Sequence, residues 1–373
     1  MNLKLAHISD VHLGAKLLYL RTNADDHRNN IKNAFENSIN IAILKKVDVF
    51  IIAGDLFDSP FPSRNLQNTV LDQIKKLIGQ GIYVALISGN HDGVSETGVY
   101  NVSAIKDFKD SHFKLKADEK QEDWIIPELN VRIALAGISK KKNNKTPYET
   151  LETDSKYAYN IGVFHGSADI KGPPMNNPIY LADLKKSGLD YIALGDWHNT
   201  LEVAKGVRSW YSGSPELIDS DQTNAGNMLI ITLGDKKELK VEIEKTGLKT
   251  AQFVKVDVSQ YKTYEELVAV IKTKKNKDLI LNLTLEGFKS IEYVIKDEEL
   301  KDVLAGDFYH INIVDKTALK LNKEELNAYP ANMIIGRYIK LLNEKRVSGD
   351  EVLNAKIDEA IQLGVGLMKG GQL

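Results

Sequence analysis

The 373 residues contain no cysteine. That excludes disulfides, thiolate nucleophiles and thiolate metal ligands, and it favours a reducing, cytoplasmic setting. No apolar run approaches the roughly 18 residues that a membrane span needs, so no membrane partner is expected. The opening stretch, MNLKLAHISD, reaches an aspartate too soon for a secretory signal. Neither charge dominates: 49 Lys and Arg stand against 51 Asp and Glu, for a formal net charge of −2. Any contact with nucleic acid must therefore use a local site, bound cations or a partner. Internal repeats and low-complexity tracts are also missing.

The first half of the chain uses one pattern many times. A short apolar run ends in Gly, Asp, Asn or His, and an amphipathic stretch often follows. LKLAHISDVH ends at Asp10 and His12. VDVFIIAGDLFD ends at Asp55 and Asp58, and IYVALISGNHD at Asn90 and His91. VRIALAG (131–137) is a fourth strand, NIGVFHG ends at His165, and YIALGDWH ends at Asp196 and His198. Between them, Ile31, Phe35, Ile39 and Ala42 recur at helical spacing, as do Leu66, Val70, Ile74 and Leu77. Near-continuous apolar strands alternating with amphipathic helices predict an α/β layered fold with covered sheet faces. Ligands in such sheets bind beyond the carboxyl ends of the strands, where these polar clusters lie. The two helices could pair two copies into a homodimer, or their apolar faces could simply cover the sheet.

After about residue 205 the pattern changes. Segments 208–213, 228–233 and 238–244 alternate like exposed strands and complete a first domain of residues 1–248. YSGSPELIDSDQ (211–222) is a polar loop near the rim, and GLKTAQ (247–252) is a candidate linker. Residues 249–318 read as a small α+β unit, with strands FVKVDV, LILNLTL and HINIV and a helix near 263–275. Residues 319–373 read as helical. Ser348 and Glu351 have capping-box spacing, and Val352, Leu353, Ile357, Ala360, Ile361, Leu363 and Met368 give the following helix an apolar face.

Asp10, His12, Asp55, Asn90, His91, His165, Asp196 and His198 offer only carboxylate, amide-oxygen and imidazole donors. That mixture suits Mn, Mg, Fe or Zn. Seven ligands, one of them a carboxylate able to bridge, suggest two ions.

At this point the chain resembles the calcineurin-like metallophosphoesterases. More narrowly it resembles the SbcD-type nuclease subunits that work with an SMC-like ATPase in DNA double-strand-break repair. The resemblance rests on HISDVHLGA (7–15), IIAGDLFDS (51–59), ISGNHDG (87–93), FHG (164–166), LGDWHNT (194–200) and YSGSPE (211–216). It implies a layered β-sandwich flanked by helices, a small α+β capping domain and a helical C-terminal region that either docks on the partner ATPase or packs on its own domain. It also implies a two-metal phosphodiesterase acting on DNA, with Mn²⁺ as the first candidate cofactor. Carried over, Asp10, His12, Asp55 and His198 would hold one cation. Asp55 would bridge to a second, completed by Asn90, His165 and Asp196, and His91 would face the scissile phosphate. Two positions depart from the family pattern, since Asp196 and Asp58 each stand where a histidine is usual. Asp196 adds a carboxylate and is expected to favour an oxygen-loving ion such as Mn²⁺ or Mg²⁺. Asp58 could orient His91 or cap the next helix.

Other residues keep two readings. His27 and Arg28 could touch a phosphate or lie on a solvated helix face. Lys140, Lys141, Lys142 and Lys145 could flank nucleic acid or form a solvated loop. Trp197 and Trp210 could stack on a base, Trp197 more naturally packing behind the metal ligands. Two rival functions also stand: a phosphodiesterase for a smaller substrate, and a weakly catalytic scaffold that binds the ATPase and DNA.

Overall fold

The structure is a computed structural model that describes residues 2–93, 95–139, 144–170, 172–174, 176–290, 297–320 and 323–368. The chain divides into two units, Met1–Thr250 and Ala251–Leu373. In the first unit the strands are β1 (Leu3–Ile8), β2 (Val49–Ala53), β3 (Tyr83–Ile87), β4 (Phe113–Lys116), β5 (Glu122–Ile126), β6 (Val131–Leu135), β7 (Tyr159–His165), β8 (Tyr191–Gly195), β9 (Leu201–Glu202), β10 (Ser209–Tyr211), β11 (Asn227–Leu233) and β12 (Leu239–Lys245). The α-helices are α1 (Ala24–Lys45), α2 (Arg64–Ile78), α3 (Ala104–Asp107) and α4 (Leu181–Lys186).

The strands form two six-stranded sheets, ordered β12-β11-β1-β2-β3-β4 and β5-β6-β7-β8-β10-β9. β1 to β4 run parallel, as do β6, β7, β8 and β10. One shared core joins the sheets: Leu5, Ile51 and Ile231 from one pack with Ile133, Ile161 and Ala193 from the other. Removing such a side chain, as in Ile161→Ala, costs about 2–5 kcal/mol in a close-packed interior. The fold is therefore the expected layered α/β sandwich. The alternate residues of each strand face outward and need a second cover, which explains the continuous apolar runs. α2 packs on β3 and α1 on α2. The apolar faces of the two helices, through Ile31, Phe35, Ile39, Val70, Ile74 and Leu77, are buried within the chain. Ser63 caps α2 by accepting from the Leu66 N–H. α4 covers the far side of the second sheet, with Leu184 against Phe164, Ile192 and Tyr211.

Two local expectations are corrected, and a third is refined. β11 is not an exposed strand: it pairs with both β1 and β12 and is buried along nearly its whole length, whereas β12 at the edge does alternate. The 247–252 stretch contains the division between the two units, and its first half is anchored. The Leu248 and Lys249 N–H groups donate to the buried Glu216 carboxylate, at 2.7 and 3.2 Å, and a strand begins at Thr250. A buried carboxylate needs such donors, so the segment is held in place. Ser348 is not the cap of the last helix. Asp350 is, accepting from Leu353 N–H at 2.9 Å.

In the second unit, β13 (Thr250–Asp257), β14 (Asn276–Glu286) and β16 (Phe308–Asp315) form a three-stranded sheet, while β15 (Phe288–Ser290) pairs with β17 (Ala318–Lys320). α5 (Tyr264–Lys272) and α6 (Asp297–Leu304) pack on the larger sheet through Leu267, Ile271, Leu300 and Leu304 against Leu281 and Leu283. The chain continues through α7 (Lys323–Asn327), α8 (Ile334–Asn343) and α9 (Glu351–Met368). Ile339 of α8 meets Ile357, Ile361 and Val365 of α9. Among the described residues, no helix is long and apolar enough to cross a membrane.

Candidate metal centre

The parallel registers bring the carboxyl ends of β1, β2 and β3 to one edge of the first sheet, and those of β7 and β8 to one edge of the second. Two hydrogen bonds tie these edges together. His165, at the end of β7, donates from Nδ1 to the Ala53 carbonyl of β2 at 2.9 Å. The Asp196 N–H, just past β8, lies 3.1 Å from the Asp10 carboxylate, just past β1. The chain turns abruptly at each edge. Asp10, His12, Asp55 and Asp196 all have positive φ, at 53°, 51°, 50° and 102°. Left-handed backbone at non-glycine residues costs free energy and gathers at functional sites. Gly54 is required for the same reason: its φ is 91°, and a Cβ there would overlap the His165 ring. At Gly89 a Cβ would overlap the Asp55 carboxylate.

All eight strand-end residues converge. Asp10, Asp55, His12 and His165 are almost wholly buried, whereas His91 and His198 keep about a third of their side chains open, at 35% and 28% exposure. His12 Nε2 lies 3.8 Å from Asp55 Oδ2, and His165 Nε2 is 3.4 Å from that oxygen and 3.9 Å from Asp196 Oδ1. His198 Nε2 is 4.0 Å from Asp10 Oδ1. Asn90 Oδ1 sits 2.9 Å from His165 Nε2. The His91 N–H donates to Asp55 Oδ1 at 2.8 Å. Three overlapping donor groups result: Asp10, His12 and His198; His12, Asp55 and His91; and Asp10, Asp55 and His165.

The fit to a cation is clearest at His12. Its Nδ1 bonds to Asp58 Oδ1 at 3.1 Å, while its Nε2 is buried with no hydrogen-bond partner. Buried polar atoms are rarely left so. An imidazole whose Nδ1–H is held by a carboxylate presents a lone pair on Nε2, the arrangement used to orient metal ligands. The electrostatics agree. Although burial opposes it, Asp55 together with Asp10 raises the pKa of His165 well above the usual range, and Asp58, Asp55 and Asp10 raise that of His12. Burial likewise opposes the lowering of Asp55, yet the imidazoles of His165, His12 and His91 hold it down. The pocket favours positive charge, which divalent ions would supply in place of protons. Asp196 is pushed up to about 6, first by burial and then by Asp10 and Asp55, with His165 opposing.

Asp58 does not cap α2, a role that Ser63 fills. Its carboxylate serves His12, and its backbone carbonyl lies 3.3 Å from His91 Nδ1. His27 is neither a phosphate contact nor on a solvated face: it is buried in α1 and donates from Nε2 to the Leu217 carbonyl at 2.6 Å. Arg28 pairs with Asp25 on the same helix. Trp197 packs beside Tyr211, and Trp210 is partly buried against the core between the sheets. Lys140, Lys141 and Lys142 lie outside the described residues, and Lys145 is exposed.

Two supporting residues carried no sequence signal. Asp92 accepts from the N–H groups of Gly89 and Phe57 at 2.8 and 3.1 Å and from the Tyr100 hydroxyl at 2.7 Å, which fastens the GNHD turn to the GDLF loop. Gln222 contacts His198 Nδ1 at 2.7 Å. Asp92 sits inside a motif that draws attention to its neighbours, and Gln222 is 24 positions from its partner.

Residues 3–200 match the calcineurin-like phosphoesterase family, and the chain belongs to it. Among individual proteins, it is 26% identical over 377 residues to the DNA double-strand break repair protein Mre11 of Methanocaldococcus jannaschii, covering 94% of this chain and 98% of that one. To the protein of the same name from Methanococcus maripaludis it is 28% identical over 375 residues, covering 91% and 95%.

Proposed function

We propose that this protein is a two-cation phosphodiesterase that cuts DNA, the nuclease subunit of a double-strand-break repair complex. One observation carries the metal assignment: His12 Nε2 is buried without a hydrogen-bond partner among the donors Asp10, Asp55, His91 and His198 while Asp58 holds its other nitrogen. Similarity to repair proteins over nearly the full length of both chains supports DNA as the substrate.

In this reading Asp10, His12 and His198 would hold one ion and Asn90, His165 and Asp196 the other, with Asp55 placed to serve both. Such a pair supplies charge neutralisation at the phosphoryl oxygens and a water acidic enough to attack phosphorus at neutral pH. The remaining steps belong to the chain. His91, at the open side of the pocket, keeps Nδ1 against the Asp58 carbonyl and offers its other nitrogen to a non-bridging oxygen or the leaving alkoxide. The strained turns at Asp10, Asp55 and Asp196 fix the donors before substrate arrives.

Mn²⁺ is the proposed ion. Asp10, Asp55 and Asp196 bring three negative charges against four positive, and this oxygen-rich set favours Mn²⁺ or Mg²⁺ over softer ions. The 249–318 region is proposed as a capping domain, and α8 and α9 as the docking surface for an SMC-like ATPase. Ile334, Leu341 and Val352 are exposed there at 82%, 53% and 70%. A homodimer would have to use surfaces other than the buried faces of α1 and α2. A cytoplasmic location follows from the cysteine-free composition and the proposed role.

Incubation of the purified protein with linear duplex DNA and Mn²⁺ tests the function. Release of nucleotides or shortened strands is expected, abolished by chelator and by Asp10→Ala. No hydrolysis with Mn²⁺ or Mg²⁺ by the wild type, alone or with its ATPase, would overturn the reading.

A further inference from the structure

The loop 211–222 is a built part of the site. Ser212 Oγ bonds to Ser9 Oγ at 2.9 Å, and the Ser214 N–H donates to the His198 carbonyl at 2.9 Å. His27 supports the loop from below through Leu217. At the loop's end Gln222 is 3% exposed and hydrogen-bonded at both ends of its amide. The Ile218 N–H can only donate, so the atom facing it at 2.7 Å is the amide oxygen. The amide nitrogen therefore faces His198 Nδ1 at 2.7 Å.

That polarity has a chemical consequence. A donor aimed at Nδ1 pairs with a lone pair there and leaves the ring proton on Nε2. Nε2 is the nitrogen 4.0 Å from the Asp10 carboxylate, the one that would have to carry a lone pair to hold a cation. Ligation through Nε2 puts the proton on Nδ1 and calls for an acceptor opposite it. Gln222 can supply one by a half-turn about its last torsion, which exchanges oxygen and nitrogen. The Ile218 N–H then faces the amide nitrogen and loses its acceptor.

Resting on the two-cation reading, we infer that Gln222 is a positioning residue that sets the proton on the His198 ring and thereby how tightly the cation at Asp10, His12 and His198 is held. Its amide satisfies either the loop backbone or the ligating imidazole, but not both. A carboxylate at this position could accept from both. An aliphatic side chain could accept from neither.

Two measurements on the full chain test this. Calorimetric titration with Mn²⁺ should rank affinity at one of two sites as Gln222→Glu, then wild type, then Gln222→Leu, with steps of about tenfold, the low end of the range for partners of ligating histidines. Nitrogen-15 NMR of the metal-free protein should place the His198 proton on Nε2 in the wild type and on Nδ1 in Gln222→Glu. A residue that only packs the loop would not move that proton. Because the NMR comparison needs only Gln222→Glu, it decides the matter even if Gln222→Leu fails to fold. Equal Mn²⁺ affinity in the three proteins, or the same His198 tautomer in wild type and Gln222→Glu, overturns the inference while leaving two-ion binding intact. Failure of the wild type to bind two Mn²⁺ ions is a different result and overturns the two-cation reading itself.

Discussion

Asp58 Oδ1 lies 3.1 Å from His12 Nδ1, and the opposite nitrogen of that ring is buried without a hydrogen-bond partner. A carboxylate thus supports the buried His12 ring from behind. Asp58→Ala should leave Nδ1–H without its acceptor and weaken Mn²⁺ binding about 10- to 100-fold. Asp58→Asn, whose amide oxygen can still accept, should lose less. Calorimetric titration of the two variants beside wild type measures the difference, and equal affinities would remove Asp58 from the metal centre.

His91 sits at the open side of the pocket, 35% exposed, with Nδ1 against the Asp58 backbone carbonyl. If it serves the phosphate, His91→Ala should lower kcat by about 10²- to 10⁴-fold, the usual range for a lost general acid or base. Two Mn²⁺ ions should still bind. Loss of an ion in parallel with activity would instead make His91 a ligand, as its proximity to His12 and Asp55 permits.

In the proposed ligand set Asp196 is a third carboxylate beside Asp10 and Asp55. Asp196→His makes the ligand set one unit more positive and supplies a nitrogen where an oxygen stood. Competition titrations should show preference moving from Mn²⁺ toward Zn²⁺, and the pH optimum for DNA hydrolysis should fall as the attacking water becomes more acidic. An unchanged metal ranking and pH profile would show that Asp196 does not contribute to the centre.

Away from the metal centre, His7 in the core between the sheets ties fold stability to pH. Burial pushes its pKa down to about 3 from 6.5, opposed by the neighbouring Leu194 backbone, and its Nδ1 contacts the Tyr191 hydroxyl at 2.9 Å. The unfolded chain therefore takes up this proton first as pH falls. Stability is full above pH 6.5 and is lost progressively from there toward pH 3, by on the order of 4 kcal/mol from this residue. His7→Gln, which keeps a hydrogen-bonding side chain but does not titrate, should show a shallower fall in unfolding free energy between pH 6.5 and 4. Urea titrations across that range provide the check.

The strands that carry the site were legible because their punctuation is chemical. An apolar run ending in Gly-Asp or Gly-Asn-His needs a reason to stop on costly polar groups, and the shared rim supplies it. β4 and β5 were not legible: their sequences, FKLK and EDWII, place lysines and acids on short edge strands. Lys114 pairs with Glu122, and Arg132 with Asp123 at 2.7 Å, contacts that exist only after the strands assemble. His27 misled for a related reason. It lies among charged residues at the start of α1, and its burial depends on Leu217, 190 positions away. Glu216 and Gln222 belong to a loop that reads as polar and therefore solvated, yet both side chains are buried by partners remote in sequence. Capping residues were misplaced by small offsets, Asp350 for Ser348, because several nearby side chains can accept from the same first turn.

The most direct test is a crystal soaked in Mn²⁺ with diffraction data collected at the manganese edge. Two anomalous peaks about 3.5–4 Å apart, the usual spacing of such pairs, are expected on either side of the Asp55 carboxylate. His12 and His198 should ligate one ion and His165 the other. A single peak, or none within reach of Asp55, would contradict a two-cation centre.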